Sequence, residues 1–251
     1  MKLIKEIFQR NQLLAWFGLI NFLLFLALIV VSQFDTRTLF NINVWVKPMK
    51  FFISIGIFSW TMAWLLHYIK SSGKVFRISL IIIIMMAIEI IIINCQAYRG
   101  VPSHFNIQSV MDGILFQIMG IAILVNTIMV FWGYRLFGKH SQLPKGYYWS
   151  IRLGMLIFII ASLEGYLMAA NLGHTIGADD GQEGYFFLNW AKEYGDLRVA
   201  HFLGLHALQA IPLFGWFVAK DKPKWVFVFS LLYFILSYGT FWQALAGKPV
   251  F

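Results

Sequence analysis

Twenty-two consecutive residues, Leu13 to Phe34, carry no formal charge. An α-helix rises 1.5 Å per residue, so about 20 apolar residues cross a bilayer core. Six more stretches meet that length, giving expected spans at residues 13–34, 48–69, 75–97, 107–137, 148–172, 197–219 and 225–246. Hydrocarbon offers no partner to a backbone N–H or C=O, so such runs are read as helices. The expected fold is all-α: a polytopic membrane protein forming one seven-transmembrane-helix bundle over residues 1–251. The first run is too long for a signal-peptide core and lacks a small-residue cleavage site, so it is read as a retained span. Residues 107–137 are long for one crossing and too short for two.

Composition agrees, at 60% hydrophobic and 12% charged, against about 25% charged in soluble proteins. The net charge of +9 sits beside apolar spans rather than on a soluble face, which argues against nucleic acid as a partner. Thirteen bases flank one set of loops and seven the other. The positive-inside rule then places the N-terminus in the cytoplasm and the C-terminus outside, as in a bacterial inner membrane. The single Cys95 excludes an intramolecular disulfide and a CxxC motif, and is expected to be a small core residue.

The stretch GDLRVAHFLGLHALQAIP, residues 195–212, opens the sixth span yet holds Asp196, Arg198, His201, His206 and Gln209. Ionisable groups at membrane depth are costly and mark functional sites. Measured from the expected outer helix ends, Lys50, Asp112 and His201 form a layer about 4–6 Å down, with His104, Arg99, Asn171 and His174 at its mouth. Glu89, Glu164, His206 and Tyr238 or Thr240 form a second layer about 12–14 Å down. Polar stripes Glu89/Gln96, Glu164/Asn171 and Asp112/Asn126 are expected to face the bundle interior, either as one cavity or as interhelical pairs such as Asp112 with Arg99 or Glu164 with His206.

The inner loops are short and basic, and His67 and His140 read as solvated. Three outer loops carry more. In WVKPMKF, Pro48 suits a first helical turn, and Lys47 and Lys50 offer positive charge. In YRGVPSHFN, Gly100 and Pro102 mark a turn, and Ser103 or Asn106 is a candidate cap for the next helix. The insert 173–195 reads as a lid over the cavity, Gly-rich at first and anchored by Tyr185, Phe186, Phe187 and Trp190. Asp179, Asp180 and Glu183 lack EF-hand spacing.

Together WVKPMKF, RGVPSHFN, GHTIGADDG, GDLRVAHFLGLHALQ and QALAGKP resemble a group of uncharacterised bacterial seven-span integral membrane proteins. That resemblance implies the span count and no activity. Ser103, His104, Asp112, His201 and His206 are similar in type to the zinc set of the alkaline ceramidase and adiponectin-receptor superfamily. They depart from it in placing the paired histidines on the sixth helix, five residues apart.

The leading expectation is an outward-facing His/carboxylate site in a metal- or haem-dependent enzyme or redox protein, acting on a small or lipid-soluble substrate. Glu89, Glu164, His201 and His206 are the candidate ligands for Zn, Fe or Mn. His104, His174 and His201 are candidate cofactor or ligand contacts, and a b-type haem is the variant. Asp112, Glu164 and His206 are candidate catalytic groups, with Lys50 and Arg99 stabilising an oxyanion. The alternatives are a small-solute transporter or sensor binding through Lys50, Arg99 and Arg198, and a structural partner in a membrane complex.

Overall fold

The structure is a computed structural model that describes residues 2–138, 143–181, 184–185 and 187–250. Lys139, His140, Glu183 and Phe186 lie outside the described residues. Seven helices are long and apolar enough to cross a membrane: α2 (Gln12–Phe34), α3 (Val46–Leu66), α4 (Ser72–Arg99), α5 (Val110–Phe137), α6 (Lys145–Asn171), α7 (Leu197–Phe214, continued by a π-helical turn Gly215–Ala219) and α8 (Pro223–Leu245). A short helix α1 (Lys2–Arg10) precedes them, where the sequence reading had only a lead-in. Two small hairpins complete the elements, β1 (Thr38–Leu39) with β2 (Ile42–Asn43), and β3 (Thr175–Ile176) with β4 (Gly195–Asp196).

The chain forms two compact units, residues 1–137 and 138–251. In the first, α2 and α3 interlock through aromatic rings set on glycines. A Cβ at Gly18 would overlap Trp60, and one at Gly56 would overlap Phe22. The Trp60 indole donates to the Ala15 carbonyl at 3.0 Å, so even this membrane-buried N–H has a partner. Small residues let helices approach closely where lipid supplies no hydrophobic drive. The second unit uses that device on α6 and α7. A Cβ at Gly204 would collide with Ala161, and one at Gly215 with Ser150. Pro212 removes a backbone donor inside α7, and the helix widens into its π turn just beyond.

The exposed surface is dominated by Leu, Ile, Val and Phe, as lipid contact requires. Cys95, expected inside, is exposed on α4. Its side chain falls on the apolar flank of the helix, while the polar stripe of Glu89 and Gln96 turns inward and both are buried.

Candidate functional site

In unit 1 the ten residues from Gly100 to Ser109 decide the geometry. α4 ends at Gly100, whose φ of 73° is the left-handed conformation glycine tolerates, so the chain reverses there. The expected caps are replaced by Ser109, whose Oγ accepts from the Asp112 N–H at 3.1 Å. Ser103 and Asn106 are buried inside the loop, with Asn106 Nδ2 donating to the Pro102 carbonyl at 3.2 Å. Irregular backbone enters a membrane protein only where protein covers it.

This loop lowers His104 into the bundle. Its Nε2 lies 3.4 Å from Glu89 Oε1, and Ser103 Oγ lies 3.0 Å from Nδ1. His104 was expected at the mouth, a layer above Glu89. The dipping loop brings the two to one level. Phe51, Phe105 and Phe116 surround the imidazole at ring distances of 5.6, 6.0 and 6.5 Å. Glu89 is 1% exposed, and its Oε2 has no hydrogen-bond partner among the described residues. Lys47, on the first turn of α3, lies within electrostatic reach of that carboxyl. Lys50 is half-buried on the same turn.

Nearer the loop end of the same unit, Asp112 is saturated. Oδ1 takes Arg99 at 2.6 Å and Gln96 Nε2 at 2.8 Å, while Oδ2 accepts from Ser109 Oγ at 2.7 Å. The Asp112–Arg99 pair is thus an interhelical tie between α4 and α5.

Unit 2 holds Glu164, His201 and His206. His201 Nδ1 donates to the Ala161 carbonyl at 2.9 Å, and a Cβ at Gly165 would sit 3.5 Å from His201 Cε1. With Gly204 opposite Ala161, the helix register sets His201 level with Glu164 and His206 deeper. Equal counting from the helix ends had matched Glu164 with His206; α6 instead runs about a turn past the start of α7. Glu164 Oε2 is buried without a hydrogen-bond partner among the described residues. His206 lies against Phe202, with ring centres 4.3 Å apart, and shares a side-chain hydrogen bond with Gln209. Of the two groups on α8 considered for the deep layer, Thr240 is buried and Tyr238 is 38% exposed.

The insert is a hydrogen-bonded knot. Asp180 accepts from His174 N at 2.9 Å, Thr175 N at 3.0 Å and Thr175 Oγ1 at 3.0 Å, with His174 Nδ1 at 2.5 Å. Burial alone would raise the Asp180 carboxyl, but the hydrogen bond and charge of His174, with Thr175, hold it well below the usual range. The other end is fastened by Asp196, which caps α7, accepts from Ala191 N at 2.8 Å and pairs with Arg198 at 2.5 Å. Arg198 also donates to the Asn189 carbonyl at 2.5 Å. Trp190 rests on Phe202, ring centres 5.5 Å apart, so the aromatic half is seated on α7. An open pocket lies in the first half, lined by Asn171, Gly173, Thr175, Asp179 and Asp180 among others.

Among the described residues, no group of three or more His, Cys, Asp or Glu is gathered as a metal ion would require. Of the four expected ligands, Glu89 belongs to unit 1 and Glu164, His201 and His206 to unit 2. Sequence reasoning missed Ser103 as the partner of His104. Its adjacency in PSHF was the available signal. The fold defines an all-helical, multi-pass membrane protein in which a buried carboxyl, Glu89, meets a partly buried imidazole, His104. No protein-family model, curated protein or solved structure matches the chain.

Proposed function

We propose that this protein is a membrane enzyme or redox protein that exchanges a proton with a small or lipid-soluble substrate at Glu89 and His104, on the side facing the exterior. The observation that carries the reading is the Glu89–His104 contact of 3.4 Å in an aromatic box, with Glu89 Oε2 left over. An acid and a base held side by side can pass one proton between them and to a third group. In the tautomer with the proton on Nε2, facing Glu89, Nδ1 accepts from the Ser103 hydroxyl, which extends the relay by one step. Anion capture by the transport alternative is less favoured, because Arg99 and Arg198 are engaged by Asp112 and Asp196.

The test is infrared difference spectroscopy of the purified protein between acid and neutral buffer, with a thermal-shift screen of quinones and other lipid-soluble compounds. A carboxyl band that shifts with pH should vanish in Glu89→Gln and move in His104→Phe, which refills the aromatic box. Any ligand that stabilises the wild type should lose its effect in both variants and keep it in Glu164→Gln. Spectra unchanged by Glu89→Gln would overturn the reading.

A further inference from the structure

Helix α1 serves neither site. At 100° per residue, Leu3, Ile4, Ile7 and Phe8 share one arc about 140° wide, and Lys2, Lys5, Glu6, Gln9 and Arg10 share the opposite one. Only Ile7 is buried against the bundle, while Leu3 is 60% exposed and Ile4 47%. The helix is nevertheless fixed in place. Arg10 pairs with Glu6 at 2.6 Å and lies 3.5 Å over the Trp64 ring at the end of α3. Asn11 breaks the helix, with φ of −156°, caps α2 and donates to Ser79 Oγ of α4 at 2.7 Å. Phe8 meets Trp16 edge-on at 5.0 Å, and Trp16 is itself 52% exposed. An apolar edge therefore continues from α1 onto the lipid-facing surface of α2.

Charge names what the other edge meets. Lys2, Lys5, Lys70, Lys74, Arg77 and Arg135 are all exposed at this end of unit 1. The one acid there, Glu6, is held by Arg10. We propose that α1 is an in-plane membrane anchor, with Leu3 and Ile4 at the hydrocarbon boundary and these six bases binding the headgroups of anionic phospholipids. An amphipathic helix with apolar residues on one face and lysines on the other lies in the interface in this way.

The test uses the full chain in mixed micelles of phosphatidylglycerol and phosphatidylcholine, with retained lipid counted by native mass spectrometry. Phosphatidylglycerol should be retained in preference. The Lys2→Gln/Lys5→Gln double variant, altered only at exposed positions, should lose about five-fold in that preference for each lysine, at about 1 kcal/mol per base. Lys248→Gln should lose none. In a Cys95→Ser background, an environment-sensitive probe on Leu3→Cys should report an apolar setting in phosphatidylglycerol vesicles, and one on Lys5→Cys a polar setting. Equal retention of the two lipids, wild-type preference in the double variant, or competition by glycerol phosphate as strong as by the lipid would each overturn the proposal.

Discussion

The loop from Gly100 to Ser109 and the insert from Leu172 to Asp196 each contain one histidine facing one carboxylate, and they use it in opposite ways. In the short loop the partner of His104 is Glu89, in a neighbouring helix, at 3.4 Å and with one oxygen left over. In the long insert the partner of His174 is Asp180, six residues on, at 2.5 Å and with both oxygens engaged. A loop long enough to turn back satisfies its polar groups from within itself. The short loop bonds Asn106 to Pro102 and Ser103 to His104 but holds no acid of its own, so its histidine meets Glu89 on α4. The difference separates a pair proposed to exchange a proton from one whose bonds stay within its own loop.

The largest effect should come from His104→Ala, which leaves the Glu89 carboxyl without its imidazole in an apolar box. Losing the ring from its place among Phe51, Phe105 and Phe116 while a buried carboxyl is left without its neighbour costs about 3–5 kcal/mol, as for an aromatic truncated in a core, read by denaturant unfolding in micelles. Adding Glu89→Gln should recover part of the loss. If the single change is silent, the contrast between the two loops fails.

Asp180→Asn should cost about 1.5–3 kcal/mol of local stability, since hydrogen bonds to a charged group are lost. Hydrogen exchange should rise across His174 to Gly181 while the Glu89 infrared band stays in place. The same knot carries a pH signature. Because the Asp180 carboxyl is held below its unfolded value, its contribution is complete above about pH 4 and disappears as pH falls through the folded value. Exchange in the insert that is insensitive to acid would assign the knot to the backbone pairing of β3 and β4 instead.

The smallest expected effect is from Trp190→Ala, which removes the contact with Phe202, an aromatic pair worth about 0.5–1.5 kcal/mol beyond its buried area. Exchange should then quicken from Gly184 to Ala191 and remain slow at His174 to Gly181. Loosening of both halves together would make the insert one cooperative unit, unlike the lid with a mobile Gly-rich half and an anchored aromatic half that the sequence leads one to expect.

Much of this contrast was legible beforehand. The Gly and Pro of YRGVPSHFN announced a turn, and an interhelical pair of Asp112 with Arg99 stood as the alternative to the catalytic roles expected of both. The depth of His104 was not, because rise per residue measures helices and says nothing about how far an irregular loop descends. The match of Glu164 with His206 failed for a related reason. Counting from helix ends assumes that neighbouring helices start level, and the seating of Gly204 on Ala161 moves them about a turn apart.

The sequence by itself determined the seven crossings and the inward turn of the Glu89/Gln96 and Asp112/Asn126 stripes, because both follow from the rise and pitch of a single helix in lipid. It also held the amphipathic pattern of α1 in KLIKEIFQR. Only the tertiary structure decided which polar groups meet. That choice depends on register between helices and on the path of a ten-residue loop, and both are set by small residues and ring contacts far apart in the chain.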